Sequence, residues 1–422
     1  MDRFKIMGST LILIITLLIV SAYIPVGTEE VKGIIADAEI ISNNNIAAKE
    51  ELQRHQLFQK KLRTALQEYF KKAIASGEIV GAGVSIVYRD SILISNGFGK
   101  RNINKNSKID GETVFRLGSL SKGFTGILMA SLRSEGKLDW DDKIVDHIPG
   151  FEFGDSLNTQ KIELSHILSH TSGTPYHSYT NLVEAGIPVE EIAKRFNEVK
   201  PISEPGAMYS YQNAMFSLSQ EVILNATGED VKTLLENRFF KPLGMTTTSM
   251  EHNELIKEKN VALPHTKRKN GWRSLPLTDK YYNAVVAGGI NASSLDMAKW
   301  MRSLLGHNPE VLKTNTIKQV FTPFVEIEFN NKYYQRWPNH IKSHYGFGWR
   351  IHTLKNQETK REKTVWHHGG SVNNYRNEIA LYPGDDLGIC VLLNGNSRLA
   401  QTVIPDLYGM ISDVYKDIYP EL

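Results

Sequence analysis

The sequence predicts an α+β fold in which both ends of the chain contribute to one antiparallel sheet. Residues 79–88 and 91–97 are typical of two strands, and a tight turn at Arg89 and Asp90 joins them. Strand patterns return only after about residue 342, whereas apolar residues between about 138 and 305 recur mostly with helical spacing. Antiparallel hairpins separated by a helical lobe are typical of α+β proteins and not of doubly wound α/β sheets.

Local patterns predict the remaining elements. Apolar residues from Phe58 to Ala73 mark an amphipathic helix that Gly77 ends, and Leu399–Tyr415 is predicted to form a second helix flanking the sheet. The clearest helices of the lobe are predicted at Glu190–Val199, Ala214–Leu224, Val231–Phe240 and Ser294–Leu305, the last opened by a capping box of Ser293 and Asp296. Later strands are predicted at Tyr345–Trp349, Lys363–His367, Asn377–Tyr382 and Leu387–Leu393, with a turn at Pro383–Asp386.

The amino-terminal residues differ in composition from the rest. Charged residues at positions 2, 3 and 5 precede an uncharged stretch from Ile6 to Thr28, so the chain is predicted to be exported to the periplasm or another extracytoplasmic space. Residues 1–25 are either a cleaved signal peptide or a retained membrane anchor, because about 20 apolar residues span a bilayer. Residues 26–45 are predicted to be a poorly ordered tether, and residues 46–422 the folded domain.

Composition excludes several classes of function. The 49 basic and 46 acidic residues give a net charge of +3 without a basic run, which argues against nucleic-acid binding. The single cysteine, Cys390, cannot form an intramolecular disulfide and lies in an apolar run typical of the core. The histidines at 166 and 170 are spaced i, i+4, but without the H-E-x-x-H pattern they do not predict a zinc site. No Gly-x-Ser-x-Gly elbow is present, which argues against an α/β-hydrolase.

The candidate catalytic residues are Ser119 and Lys122, which form an S-x-x-K pair at the start of a predicted buried helix. Residues three apart on a helix share a face, so the amine can take the proton of the hydroxyl. The helix start offers free backbone N–H groups that favour an oxyanion. A second copy, Ser134 to Lys137, contains Gly136, which should end the helix and separate the pair, so it is interpreted as a surface helix end.

Five further segments, which follow one another along the chain, strengthen the assignment of Ser119 as the nucleophile. The chain resembles the serine β-lactamase and penicillin-binding-protein superfamily, in particular the branch with class C β-lactamases and D-alanyl-D-alanine carboxypeptidases, over roughly residues 79 to 418. The segments are Ile167–Gly173, Pro205–Asn213, Ala287–Gly289, Tyr345–Trp349 and His368–Ser371. The resemblance implies a β-lactamase/transpeptidase-like fold and a serine hydrolase that needs no metal or cofactor.

The resemblance also implies roles for single residues. Tyr211, in the Y-x-N element after a Pro-Gly turn, would relay protons, and Asn213 would hold a substrate carbonyl. The alternative is a core tyrosine followed by an N-cap asparagine. Three other Y-x-N copies, at Tyr179, Tyr281 and Tyr375, lack this context and are attributed to chance, and Glu221–Asn225, which spells another family's E-x-x-L-N motif, is attributed to helix surface and core.

The last segment, His368-Gly369-Gly370-Ser371, stands where many relatives carry Lys-Thr-Gly. His368 would bind a substrate carboxylate, Gly370 would let a ligand approach the backbone, and the Ser371 N–H would complete the oxyanion hole. His368 is alternatively a satisfied strand histidine, and the neighbouring His367 competes for the same role. Because a histidine loses its charge near pH 6.5, carboxylate binding through His368 would weaken above that pH.

The sequence therefore predicts an exported serine hydrolase that forms a covalent acyl-enzyme with amide or peptide substrates. D-amino-acid peptides and β-lactam-like compounds are the expected substrate classes. A β-lactamase proper and an esterase of the same fold are alternatives, and so is an inactive binding protein. Beyond its substrate and a possible membrane attachment no partner is predicted, and the oligomeric state is left open.

Overall fold

The computed structural model describes residues 28–328, 332–356 and 359–420. The predicted signal peptide or anchor, residues 1–25, lies outside the described residues. The chain divides into two compact units, one of residues 1–61 with 417–422 and one of residues 62–416. Within the described residues, no helix is both long enough and apolar enough to cross a membrane.

In the first unit, a long helix replaces part of the predicted tether. The helix begins at Thr28, inside the segment 26–45 that the sequence predicted to be a poorly ordered tether. Several of these residues, including Glu29, Glu30 and Ala36, have high helix propensity. Whether the segment acts as a tether stays a prediction. Lys61 forms an exposed ion pair with Asp417 in the same unit.

The second unit contains an eight-stranded antiparallel sheet, as predicted. Its strand order is β2-β1-β12-β11-β10-β9-β8-β7. Strands β3 to β6 lie outside this sheet. The strands of the described residues are β1 (Gly81–Tyr88), β2 (Ser91–Gly99), β3 (Val114–Arg116), β4 (His265–Arg268), β5 (Gly271–Ser274), β6 (Asn291–Ser293), β7 (Val325–Glu326), β8 (His340–Tyr345), β9 (Arg350–Lys355), β10 (Glu362–Val372), β11 (Tyr375–Tyr382) and β12 (Leu387–Leu393). Since Val84 of β1 pairs with Val391 of β12, the first and last strands meet inside the sheet, which confirms its assembly from both ends of the chain.

The helices confirm a largely helical lobe, with boundaries shifted by a few residues. They are α1 (Thr28–Ala75), α2 (Ser121–Ser134), α3 (Ile144–His147), α4 (Ser156–Lys161), α5 (Leu164–Leu168), α6 (Thr180–Glu184), α7 (Val189–Ala193), α8 (Asn213–Ser217), α9 (Ser219–Thr227), α10 (Val231–Leu235), α11 (His252–Lys257), α12 (Val285–Gly288), α13 (Ser294–Leu304), α14 (Thr314–Val320) and α15 (Val403–Ile418). The lobe also holds the unpredicted hairpin β4–β5 and strand β6, which pairs with β3.

Both flanking helices pack on the sheet through aromatic rings. Phe70 of α1 stacks on Phe98 of β2 with centroids 4.6 Å apart, and Tyr408 of α15 stacks on Tyr382 of β11 at 4.3 Å. Such ring contacts bury large apolar areas, which dominate core energetics. The flanking positions of both helices are therefore as predicted.

The segment Tyr345–Trp349 is not the predicted strand. Only Tyr345 belongs to β8, and the four residues after it turn back into β9. The Gly346 N–H donates to the Trp349 carbonyl at 2.8 Å, which closes a tight turn that an extended strand cannot form. The indole N–H of Trp349 donates to Gly123 O in α2 at 3.4 Å, so this turn holds the central helix.

Helix α2 is the buried centre of the second unit. All but three of its residues are buried, and Phe124 stacks on Trp300 of α13 with centroids 4.2 Å apart. The helix ends at Ser134 because Gly136 has a φ of +68°, as the sequence predicted. The hydroxyl of Ser134 donates to Ala130 O at 2.9 Å, so the second S-x-x-K copy is a helix end.

Candidate active site

Ser119 lies in the turn that precedes helix α2 and not in the first turn of the helix, where it was predicted. It belongs to a 3₁₀ turn, Gly118–Leu120, that leads directly into α2 at Ser121. It lines a cavity of about 430 Å³ between the sheet and the lobe. The cavity is also lined by Tyr176, His177, Thr180, Glu184, Tyr209, Tyr211, Asn213, Tyr281, Lys332, Tyr333, Tyr334, Arg350, Gly369, Ser371 and Arg376.

Gly118 brings Ser119 against strand β10. Its φ is +57°, which favours glycine, and a Cβ there would lie only 2.9 Å from the backbone N and C of Ser371. Strand β9 pairs with β10 only over Glu362–His367, so the cavity-facing edge of Gly369 and Ser371 has no sheet partner among the described residues. The backbone of Ser371 is thus packed against the residue before Ser119, as an oxyanion hole formed by the N–H groups of Ser119 and Ser371 would require.

Gly370 allows strand β10 to pack closely on the segment before Ser119. A Cβ at Gly370 would collide with the carbonyl oxygen of Leu117, so the glycine allows β10 to pack directly on the segment before Ser119. Gly370 does not line the cavity. The structure thus gives Gly370 a role in backbone packing, and its predicted direct role in substrate binding stays a prediction.

Lys122 is completely buried and prepared to accept a proton. Burial lowers the pKa of its amine well below the usual value, and the nearby positive charge of Arg350 lowers it further. The amine donates to Asn213 Oδ1 at 2.7 Å and to the Ala287 carbonyl at 2.8 Å. A neutral amine has two N–H bonds and one lone pair. Since both N–H bonds are used, the lone pair remains to take the proton of a nucleophile.

Tyr211 stands beside this pair. Its ring lies 5.0 Å from the Lys122 amine. Its phenolic oxygen is buried and has no hydrogen-bond partner among the described residues. Burial raises the pKa of Tyr211 to about 12, and the neighbouring Ser119 hydroxyl opposes that rise. A buried phenol next to the Ser119 hydroxyl on the cavity wall can meet a substrate or a leaving group, which fits the predicted relay.

Asn213 holds Lys122, and Tyr281 holds Asn213. The Asn213 amide nitrogen donates to the Tyr281 hydroxyl at 3.1 Å, which directs the amide oxygen towards Lys122. The predicted contact of Asn213 with a substrate carbonyl stays a prediction. Tyr281 belongs to a Y-x-N copy that the sequence analysis attributed to chance. Its φ of +70°, rare for a large side chain, is a strained conformation of the kind that collects at functional sites.

His368 does not bind substrate in the predicted way. It is fully buried and does not line the cavity, and both its ring nitrogens are engaged, Nε2 with Tyr345 OH at 2.9 Å and Nδ1 with Gly369 O at 2.8 Å. Burial and the charge of Arg350 hold its pKa well below the usual value. His368 is therefore the satisfied strand histidine, and it carries no charge for a carboxylate.

His170, set aside in the sequence analysis, is joined to His368 through Tyr345. The backbone N–H of Gln212 donates to His170 Nδ1 at 3.2 Å, so His170 Nε2 carries the hydrogen and donates to Tyr345 OH at 3.2 Å. Tyr345 then donates to His368 Nε2, and His368 Nδ1–H donates to Gly369 O. This chain links the backbone before Asn213 to that of β10.

The positive charges of the cavity come from residues that the sequence analysis missed. Arg350, Arg376 and Lys332 line it, whereas Glu184, the only acidic residue among the described lining residues, is paired with Lys280 at 2.6 Å. Two guanidinium nitrogens of Arg350 are buried without a hydrogen-bond partner among the described residues. Arg350 directly follows the segment Tyr345–Trp349, and this position beside a family segment was the one feature of the sequence that could have identified it. Its unused donors suit a carboxylate.

Other chemistry finds little support in this arrangement. The described part of the chain contains no group of three or more metal-ligating His, Cys, Asp or Glu side chains. Cys390 is buried, and burial raises the pKa of its thiol far above the usual range. It is therefore a core residue and not a nucleophile.

Comparison with known proteins identifies the family of this chain. A family model described as Beta-lactamase matches residues 66–406. Protein flp of Staphylococcus aureus (strain MRSA252) is 24% identical over 346 residues, covering 80% of this chain and 64% of that protein. The chain thus spans less than two thirds of the length of this relative.

Two solved structures show the same fold. An octameric penicillin-binding protein homologue from Pyrococcus abyssi superimposes with a TM-score of 0.70 at 23% identity, covering 82% of this chain and 77% of that one. A D-stereospecific amidohydrolase from Streptomyces sp. gives a TM-score of 0.65 at 22% identity, covering 84% and 98%. With Ser119 and Lys122 inside the matched span, this chain belongs to the beta-lactamase family of serine hydrolases.

Proposed function

We propose that this chain is an exported hydrolase that cleaves amide or peptide bonds through an acyl-enzyme on Ser119. The observation that carries the proposal is the meeting of Ser119, Tyr211 and Ser371 at one cavity, with the amine of the buried Lys122, whose pKa is lowered, 5.0 Å from the Tyr211 ring. Export rests on the composition of residues 1–25 alone.

In the first half of the reaction, Ser119 attacks the substrate carbonyl while Lys122 takes its proton. The bond from Ser119 Oγ to the carbonyl carbon forms, and the oxyanion is held by the N–H groups of Ser119 and Ser371. When the intermediate collapses, the bond to the leaving nitrogen breaks, and Tyr211 passes the proton from Lys122 to that nitrogen. Water then hydrolyses the acyl-enzyme by the reverse proton path.

Substrates with a carboxylate fit this cavity better than neutral ones. Arg350 and Arg376 keep their charge at every physiological pH, unlike the histidine to which the sequence analysis gave this role. The D-stereospecific amidohydrolase with the same fold supports amide cleavage, and D-amino-acid peptides and β-lactam-like compounds combine an amide with a carboxylate.

The first test replaces the nucleophile. Ser119→Ala should abolish hydrolysis of small peptides or activated esters and abolish labelling by a fluorophosphonate probe, without loss of the fold as measured by circular dichroism. Ser134→Ala, in the second S-x-x-K copy, is the matched control and should change neither. Hydrolysis at the wild-type rate in Ser119→Ala would overturn the mechanism.

A second test separates the substrate classes by intact-mass spectrometry after brief exposure to a penicillin. We expect a persistent adduct on Ser119, because an acyl-enzyme formed at a peptidase-like site is released slowly. Rapid turnover without an adduct would instead identify a β-lactamase. Neither adduct nor turnover, alongside brisk ester hydrolysis, would identify an esterase, and absence of all three activities would favour the inactive binding protein.

A further inference from the structure

A buried carboxyl group lies next to the cavity wall and has no part in the reaction described above. Glu378 of β11 is fully buried. Tyr333 donates to its Oε2 at 2.7 Å, His367 Nε2 lies 2.8 Å from the same oxygen, and Arg376 Nη2 lies 3.0 Å from Oε1. Tyr333 and Arg376 both line the cavity. Glu378 therefore holds two side chains that a substrate would meet.

A continuous chain of hydrogen bonds connects Glu378 to a partly exposed residue. His367 Nδ1 contacts His352 Nε2 at 3.0 Å, and His352 Nδ1 contacts the Ser343 hydroxyl at 2.8 Å. The same hydroxyl contacts His340 Nε2 at 2.7 Å. His352, His367 and Ser343 are buried, whereas His340 is about half-buried. The chain thus spans four neighbouring strands, β8, β9, β10 and β11.

The donors in this chain all point one way. An ionised Glu378 accepts from His367 Nε2–H, so His367 Nδ1 must accept from His352 Nε2–H. His352 Nδ1 then accepts from Ser343, whose oxygen accepts from His340 Nε2–H. Burial lowers the pKa of all three histidines, which keeps them uncharged. One proton taken from water at His340 Nδ1 can therefore shift each hydrogen along by one bond and arrive on Glu378.

The charge of Glu378 changes the balance of the cavity. The groups that face it are His367 on β10, Arg376 on β11, Arg350 on β9, Tyr333 before β8 and Cys390 on β12. Of these only the two arginines are charged. An ionised Glu378 offsets the positive charge of one arginine. When Glu378 is protonated, the positive charges of both arginines can act on a ligand.

We propose that Glu378 is a positioning residue whose protonation sets the preference of the cavity for anionic over neutral substrates. This inference rests on the proposed function. Burial raises the pKa of Glu378 to about 7, against the opposing effect of Arg376, so the change falls in the physiological range. Preference for an anion is then strongest below pH 7 and falls as the pH rises and Glu378 ionises.

The test compares two activated esters with acyl chains of equal length, p-nitrophenyl butyrate and mono-p-nitrophenyl succinate. The measured quantity is the ratio of kcat/KM for the anionic ester to kcat/KM for the neutral ester between pH 5.5 and 8.5. Effects common to both esters, including titration of catalytic groups, cancel in the ratio. We expect the ratio to fall about tenfold through pH 7, because the negative charge that Glu378 gains opposes an anion bound beside Arg350 and Arg376.

Three variants complete the test. Glu378→Gln should remove the pH step, and Tyr333→Phe, which loses one hydrogen bond to the carboxylate, should move it to higher pH. The matched control is Glu184→Gln, which removes the acidic lining residue outside this chain and should keep the step at the same pH. A flat ratio in an active wild-type enzyme, or a step that survives in folded Glu378→Gln, would overturn this inference alone. Failure of the wild type to hydrolyse either ester would overturn it together with the proposed function.

Discussion

Replacing Gly118 with alanine tests whether the contact between the Ser119 segment and β10 sets up the oxyanion hole. A Cβ at this position would lie 2.9 Å from the N and C atoms of Ser371, whereas ordinary van der Waals contact begins at 3.4 Å. The Ser371 backbone must therefore retreat by about 0.5 Å, which is the tolerance within which a catalytic constellation has to be held. Loss of one oxyanion donor costs about 10²–10³ in kcat. We expect Gly118→Ala to lower kcat about 100-fold with little change in KM.

Gly136 provides a matched control for the backbone strain. Its φ of +68° resembles the +57° of Gly118, but a Cβ there meets no atom within 4 Å. Alanine in this conformation costs about 1–2 kcal/mol, so both variants should lose a similar free energy of unfolding from strain alone. Only Gly118→Ala carries the added collision with Ser371.

The assay measures kcat and KM with p-nitrophenyl butyrate, and the free energy of unfolding by urea titration, for both variants and the wild type. A large loss of kcat in Gly118→Ala beside unchanged kcat in Gly136→Ala would support the reasoning. If Gly118→Ala keeps kcat within about threefold of the wild type, the contact with Ser371 does not set the oxyanion hole.

Three further predictions concern the groups around the nucleophile. Lys122→Arg, which stays protonated, should lose most acylation, and an unchanged rate of fluorophosphonate labelling would show that Lys122 is not the base. The buried amine has a pKa lowered from 10.5, so the unfolded chain binds the extra proton below that pH. The unfolding free energy of the wild type relative to Lys122→Met should therefore rise with pH from 7 towards 10.5, by up to about 1.4 kcal/mol per unit, and urea titrations that give a constant difference would contradict this. Tyr281→Phe should leave the Asn213 amide free to rotate and lower kcat about tenfold at similar KM, because losing one hydrogen bond costs about 1 kcal/mol, and steady-state kinetics equal to the wild type would argue against its positioning role.

The sequence by itself determined the features that depend on neighbouring residues. Ser119 and Lys122 lie in one short segment, and the pattern of apolar residues after them showed that this segment is buried. Gly136 likewise identified the false S-x-x-K copy, because a single backbone conformation ends the helix there. The order of strand and helix patterns was enough to predict a sheet built from both ends.

Choosing between His367 and His368 required the tertiary structure. Alternation of apolar and polar residues identifies the inner face of a strand only when the other face meets water. Both histidines of β10 are fully buried, so the pattern could not show which one faces the cavity. In the structure neither lines it: His368 joins Tyr345, and His367 joins Glu378.

The walls of the cavity were also decided only by the fold. Arg350, Arg376, Tyr281 and Lys332 come from segments far apart in the chain, and each is ordinary in its local sequence. What distinguishes them is that they line the same cavity as Ser119. Charge interactions within a cavity depend on distance in space and on burial, neither of which is encoded by the spacing of residues along the chain.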